Sequence, residues 1–530
     1  MNPLEDVLFG ARLAWDMGFF TPEGARLLPA LALGVQRYGV GPAMGFEAVG
    51  NAFGDTVGLY DDFGALTFAE LRDQSDALAV ALGERGVEAG QKVALLARNH
   101  RGLVLSTVAL SKLGADIVFF NTGFAAPQVA DVAAREGVVA FIADTEFDDL
   151  VAGVKNAARF AADDLGDLID EGLGRHPRRP ERSSRTVILT SGTTGTPKGA
   201  SRDATDAAGA ALGFAARLHF KVRDTTLIAA PAFHAWGAAH LAAAMLLGST
   251  VVLQRRFDPE EVLRSIDMHR VRTLVVVPVM LQRILDQPEA VRSKYDTSSL
   301  QVVASSGSAL PGPLAQRWMD AFGDNLYNTY GSTEVSIATI ADPEQLRAHV
   351  GTAGTPLRGS KVALLDDHGH EVAQGETGRI FVGNAALFDG YTGGGSKEVI
   401  DGLMSTGDVG HFDGAGRLFV DGRDDDMIVS GGENVFPREI EEVLNQHETI
   451  GASGVVGVPD PMRGELPIAF VELREGVDKA RFDEKALQMW CRERLAGYKV
   501  PDEIRLMEAL PRNPTGKVMR RELKKLIKVG

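Results

Sequence analysis

The chain is poor in cysteine: Cys491 is the only one in 530 residues, so no internal disulfide can form and the sequence reads as a protein of the reducing cytoplasm. It is also short of positive charge. Lys and Arg number 55 against 71 Asp and Glu, a net −16, which disfavours duplex nucleic acid or a strongly anionic membrane as the main partner. The first six residues carry acid (Glu5, Asp6) where a secretory leader would carry base. The signatures G-x-S-x-G, H-E-x-x-H and C-x-x-C are absent, which removes the commonest hydrolase, zinc-protease and dithiol readings. Glycine (60) and proline (23) make up about one residue in six, short of low-complexity chains. The uncharged stretch 225–254 is long enough to span a bilayer, but Pro231, His234, Gly237, His240 and Gly248 interrupt it. It reads as buried strand, loop, helix and strand.

What is present is a globular composition with 45% hydrophobic and 24% charged residues. At roughly 150 residues per folding unit, the length implies about three to four units. Residues 4–38 predict two short amphipathic helices divided at Thr21-Pro22, packing on their own domain or lying at a lipid or partner surface. A capping box, T-F-A-E from Thr67, opens a helical run to 85. Strands at 93–97 and 117–120 alternate with a helix near 103–113, the pattern of a mainly parallel sheet covered on both faces. Residues 160–185 lose periodicity and read as a surface connection. Strands at 187–190, 227–230, 251–253 and 274–277 imply a second sheet-and-helix unit. Beyond Tyr330, short strands and frequent turns suggest a β-rich part ending near Gly422. The remainder mixes helices at 437–445 and 484–495 with strands at 454–458 and 468–473.

The stretch T-S-G-T-T-G-T-P-K-G at 190–199 follows a strand directly. Its hydroxyls, unobstructed backbone N–H groups and Lys198 form an inventory for wrapping a polyphosphate. It is not a Walker A loop, because Gly199 stands where Ser or Thr would hold the metal. Five further motifs follow in order: P-A-F-H-A-W-G around His234, Y-N-T-Y-G-S-T-E at 327–334, S-T-G-D-V-G at 405–410, G-R-D-D-D-M-I-V-S-G-G-E-N-V-F-P at 422–437 and P-R-N-P-T-G-K at 511–517. By these motifs the chain resembles the ANL superfamily of adenylating enzymes, most of all bacterial fatty acyl-CoA synthetases, over about 48–525.

The resemblance implies an α/β fold. A large AMP-binding domain, 1–422, would hold two α/β sheet subdomains (about 45–185 and 186–330) and a β-rich one (331–422), followed by a small mobile α+β domain, 423–530. It assigns the ATP phosphates to Thr190, Ser191, Gly192, Thr193, Thr194 and Lys198. Nucleotide contacts also fall to Gly307, Gly331 and Thr333, with Tyr330 stacking on adenine, Asp408 and Arg423 on the ribose, and Glu334 on Mg2+. Lys517 would bridge carboxylate and phosphate during adenylation; His234, Glu334 and Thr194 are its expected catalytic companions. Asp425 matches the hinge about which the small domain turns, exchanging Lys517 for the Gly431-Gly432 loop that passes the pantetheine of CoA.

An amino-acid adenylating domain needs a buried carboxylate for the substrate's ammonium, and 229–240 has none. Phe233, His234, Trp236 and Gly237, with Ser308, suggest an apolar pocket, Trp236 as a wall or gate. The implied activity is ligation of a medium- or long-chain fatty acid to CoA with ATP and Mg2+. The alternatives are an acyl-AMP ligase that loads a carrier protein or forms amides, and an inactive nucleotide-binding regulator. The expected protein is cytoplasmic, a monomer or homodimer, binding no nucleic acid, with peripheral membrane contact reserved for residues 4–38. Cys491, in A-L-Q-M-W-C-R-E-R-L, reads as a buried structural thiol.

Overall fold

A computed structural model describes residues 3–190, 198–201, 208–392, 394–430, 433–460, 463–513 and 516–527. Its architecture is α/β. Two helices open the chain, Pro3–Asp16 and Pro22–Tyr38, the second capped by the Thr21 hydroxyl, which accepts from the Gly24 N–H at 3.2 Å. Leu13 and Met17 pack with Phe214 and Tyr327, and Leu27 enters the main core. The outward side leaves Val7, Leu8, Trp15, Phe20, Leu28 and Leu33 exposed.

The capping box forms as read: Thr67 Oγ1 accepts from Glu70 N–H, and Glu70 Oε2 accepts from Thr67 N–H at 2.7 Å, starting the helix Phe68–Glu84. The strand Lys92–Leu96, the helix Arg101–Leu113 and the strand Asp116–Phe119 follow. The last two strands are near-continuous apolar runs, as a parallel sheet buried on both faces requires. Among the described residues this seven-stranded sheet runs, edge to edge, Gly390–Tyr391, Lys198–Ser201, Thr186–Thr190, Asp116–Phe119, Lys92–Leu96, Val138–Ala143 and Ala158–Ala161.

The second, nine-stranded sheet centres on parallel strands Thr250–Leu253, Thr225–Ile228, Thr273–Val276, Val302–Ser305 and Leu326–Ser332. The apolar stretch 225–254 resolves, as expected, into strand, turn, the helix Ala235–Leu246 and strand. No helix among the described residues is long and apolar enough to cross a membrane.

The sheets do not follow a division at 185. The hairpin Val57–Asp61 and Gly64–Thr67 belongs to the nine-stranded sheet, beside Thr250–Leu253. Conversely, Thr186–Thr190, Lys198–Ser201 and Gly390–Tyr391 complete the seven-stranded one. Residues 160–185 also hold more order than their lost periodicity suggests: the strand Ala158–Ala161 ends there and the helix Gly166–Gly172 lies against Phe68–Glu84.

A five-stranded antiparallel sheet spans Lys361–Leu365 to Leu418–Arg423, the β-rich part expected there. A second five-stranded sheet, from Ile428–Ser430 to Glu503–Met507, packs on the helices Pro437–Asn445 and Glu484–Arg492 around its own core. Cys491 is fully buried in that core and burial pushes its thiol up to about 11, so it stays protonated.

Candidate active site

The phosphate-loop motif begins and ends on paired strands: Thr190 and Lys198 are opposite one another in an antiparallel pair. The turn residues Ser191, Gly192, Thr193 and Thr194 lie outside the described residues, as do Gly431 and Gly432. Lys198 holds its ammonium over the ring of Tyr391, 4.9 Å from the centroid. The same phenol donates to Glu334 Oε1 at 2.9 Å. Tyr391 therefore touches two of the expected ligands from a strand that sequence reasoning passed over; its Gly-Tyr dipeptide carries no chemical signature by itself.

Glu334 is 9% exposed and follows the strand Leu326–Ser332. Among the described residues no group of three or more His, Cys, Asp or Glu could share a metal ion. A single buried carboxylate, Glu334, is in keeping with Mg2+, which takes few protein ligands and keeps phosphate oxygens and water.

At the end of the same strand, Tyr330 donates its hydroxyl to Asp408 Oδ2 at 2.7 Å. Asp408 stands opposite Arg423 in antiparallel register, with Arg423 Nη1 at 3.5 Å from Oδ1. Burial raises the pKa of Asp408, Arg423 opposing. Burial likewise drives the Tyr330 phenol well above its ordinary range, helped by Asp408. Gly331 is required by close approach, since a Cβ there would lie 2.0 Å from the Ser336 carbonyl oxygen. Gly307, in the turn after Val302–Ser305, has φ +87, a conformation that favours glycine; Ser308 follows it, half-buried, and Thr333 is half-buried beside Glu334.

Lys517 joins this group from the C-terminal part of the chain. Its backbone N–H is fixed by Asn513 Oδ1 at 2.9 Å. Gly516 reaches so close to Val279 that a Cβ would come within 2.4 Å of Cγ1. The lysine retains solvent contact, yet desolvation and the positive charge of Arg423 lower its pKa, with Asp408 opposing. Lys397, another residue sequence reasoning missed, adds a cation acting on Asp408. Asp425 lies in the one-turn helix Asp424–Asp426. The neighbours of that turn are gripped from opposite sides: Arg379 Nε reaches Asp424 Oδ2 at 3.3 Å, and Arg520 Nη1 reaches Asp426 Oδ2 at 2.8 Å.

The expected acid pocket lies at the start of the helix Ala235–Leu246, where His234 is the N-cap residue. Its Nε2 is buried without a hydrogen-bond partner, and burial lowers its pKa to about 4, so the imidazole is neutral at pH 7. Phe233 is buried with its ring 4.6 Å from that imidazole. Trp236 is held in place: its indole N–H donates to the Val276 carbonyl at 3.1 Å and its ring meets Phe214 and His240 edge-on. Gly237 serves close packing, since a Cβ there would be 2.5 Å from the Pro231 carbonyl oxygen.

Comparison with known proteins shows the family to which the chain belongs. The AMP-binding enzyme family matches residues 46–392, and the AMP-binding enzyme C-terminal domain matches 439–517. A 2-succinylbenzoate–CoA ligase of Geobacillus kaustophilus is 36% identical over 87% of this chain and 93% of its own. A feruloyl-CoA synthase of an Amycolatopsis species is 34% identical over 87% and 94%. The solved o-succinylbenzoate CoA synthetase of Bacillus subtilis is 29% identical and covers 91% of this chain. It superposes with TM-score 0.80 when bound to its acyl-adenylate and 0.79 with ATP and magnesium, matched over 97% and 99% of its own length. The chain belongs to the AMP-binding enzyme family, within the ANL superfamily of adenylating enzymes, and is an AMP-forming acid–CoA ligase that uses ATP, Mg2+ and CoA.

Proposed function

We propose that the acid this enzyme activates is a ring-bearing carboxylic acid rather than a fatty acid. The observation that carries the reading is the aromatic wall beside His234: Phe233, its ring tilted 48° to the imidazole with centroids 4.6 Å apart, and Trp236 pinned to Val276. A rigid flat wall favours a flat substrate over a flexible chain, which would lose rotamer freedom on binding. The relatives that activate 2-succinylbenzoate and ferulate lend support, and none of the three proteins compared above is named for a fatty acid. This reading departs from the fatty-acid expectation, which these relatives do not support.

In this reading Lys198, Thr190 and the loop between them take the triphosphate, Tyr330 the adenine, Asp408 and Arg423 the ribose, and Glu334 the Mg2+, which supplies charge neutralisation between phosphate oxygens. Neutral His234 offers a hydrogen bond to the substrate carboxylate. The carboxylate oxygen attacks the α-phosphorus, pyrophosphate leaves, and Lys517 stabilises the charge that builds. Its place beside Asp408 and Arg423 fits the orientation for this first step and speaks against an inactive regulator. CoA thiol then displaces AMP after the small domain turns about Asp425.

The test is CoA-dependent AMP release with aryl and arylpropenoic acids, fatty acids of graded length and amino acids. Ring-bearing acids should lead, with a single methylene shifting kcat/KM by roughly 10- to 200-fold. A preference for fatty or zwitterionic acids would overturn the substrate reading. Adenylation that CoA never accelerates would instead indicate a carrier-loading or amide-forming enzyme.

A further inference from the structure

Asn99 lies on the turn that leaves the seven-stranded sheet after Lys92–Leu96 and is only 4% exposed. Its side chain crosses to the other sheet. Nδ2 donates to the carbonyls of Ile228 at 3.2 Å and Ala230 at 2.9 Å, and Oδ1 accepts from the Ala232 N–H at 2.8 Å. Both amide protons and one oxygen lone pair are thus spent on Ile228, the last residue of the strand Thr225–Ile228, and on Ala230 and Ala232 just beyond it. Those residues lead directly into Phe233 and His234, whose own N–H returns to Pro231 O at 3.2 Å.

Asn99 is itself held from behind. Asp144 Oδ2 accepts from the Arg98 N–H at 3.0 Å, and Asp144 Oδ1 lies 2.7 Å from His100 Nε2, both side chains fully buried. His100 Nδ1 accepts from the Gly102 N–H at 3.1 Å, so its proton sits on Nε2 and is donated to Asp144. One carboxylate therefore clamps the residues on either side of Asn99, and Asn99 passes that rigidity to the other sheet.

We infer that Asn99 is a positioning residue for the acid-binding half of the site: it sets the 228–232 backbone and thereby the place of His234. It touches neither substrate nor nucleotide. The inference rests on the reading of His234 as a carboxylate contact, so the test carries a variant for each.

Asn99→Asp keeps the shape but turns both donors into acceptors facing two carbonyls; Asn99→Ala takes away the hydrogen bonds Asn99 makes to three backbone groups. Both should raise the KM for the acid about tenfold or more, while the KM values for ATP and CoA stay within about twofold. Lowering the pH from 8 to 6 should partly restore Asn99→Asp, because a protonated carboxyl regains one donor, and should leave Asn99→Ala unrestored. Where Asn99→Ala does not accumulate as folded protein, Asn99→Ser is measured instead. Losses spread equally over all three substrates, or an unchanged acid KM, overturn the inference. His234→Ala assayed alongside separates the two readings. If it raises the acid KM while the Asn99 variants do not, the positioning role fails and the pocket stands. If it leaves the acid KM unchanged, the pocket reading fails first.

Discussion

The phenol of Tyr391 donates to Glu334 Oε1 at 2.9 Å while its ring carries the Lys198 ammonium 4.9 Å from the centroid. One side chain thereby orients the expected metal carboxylate and the phosphate-loop lysine. Removing only the hydroxyl, Tyr391→Phe, keeps the ring for Lys198 and frees Glu334. The Mg2+ concentration for half-maximal adenylation should rise about tenfold, the worth of one hydrogen bond to a charged group, with the acid KM unchanged. Magnesium titrations of pyrophosphate release check this; an unchanged Mg2+ requirement would remove Tyr391 from the metal site.

Lys517 reaches the Asp408–Arg423 pair from the far end of the chain. Lys517→Ala should lower acid-dependent pyrophosphate release on the order of 100- to 1,000-fold, the usual loss for one stabiliser of developing charge. Thioester formation from supplied acyl-adenylate should largely survive. Single-turnover assays of each half-reaction decide it, and equal losses in both would show that the lysine serves more than adenylation.

The hinge proposed at Asp425 predicts the opposite split. Asp424 and Asp426 are tied to Arg379 and Arg520, leaving the backbone at Asp425 as the link between two held neighbours. Asp425→Pro fixes φ and removes an N–H. The adenylate should still form and CoA transfer should fall. A variant that transfers normally would show that rotation is absorbed elsewhere.

His240 is completely buried against Trp236, Phe214 and Phe220, and burial lowers its pKa to about 4. The unfolded chain, with an ordinary histidine near 6.5, binds more protons between those values, so stability falls as pH drops through this window. The loss from this one group between pH 7 and 5 is about 2 kcal/mol. His240→Gln should flatten the fall in melting temperature over that range. An identical slope in both proteins would refute the neutral buried form.

Where a signal is local, the sequence was read closely. The helix Pro437–Asn445 ends where its pattern ends, and the Thr67–Glu70 box forms as spaced. Helix and strand periods report which face is buried, and caps report where an element starts. They say nothing about which sheet a strand joins, which is why the hairpin at Val57–Thr67 and the strand Gly390–Tyr391 were not placed. That Tyr330, Asp408, Arg423 and Lys517 come together was legible because each sits in a dense motif. Asn99 was not, since its partners lie 129 to 133 residues away and no spacing rule links them.

The crossing of strands between the two large sheets has a consequence for how the protein is born. The seven-stranded sheet takes its last strand from residues 390–391, and the nine-stranded sheet seats Val57–Asp61 only once Thr250–Leu253 exists. During synthesis the early hairpin must therefore wait, unpaired on one side, for roughly two hundred residues of nascent chain, tens of seconds at about 5–20 residues per second. A ribosome stalled near residue 185 would hold no finished sheet, and a gene split there would yield two fragments that each need the other's strands to cover an open edge.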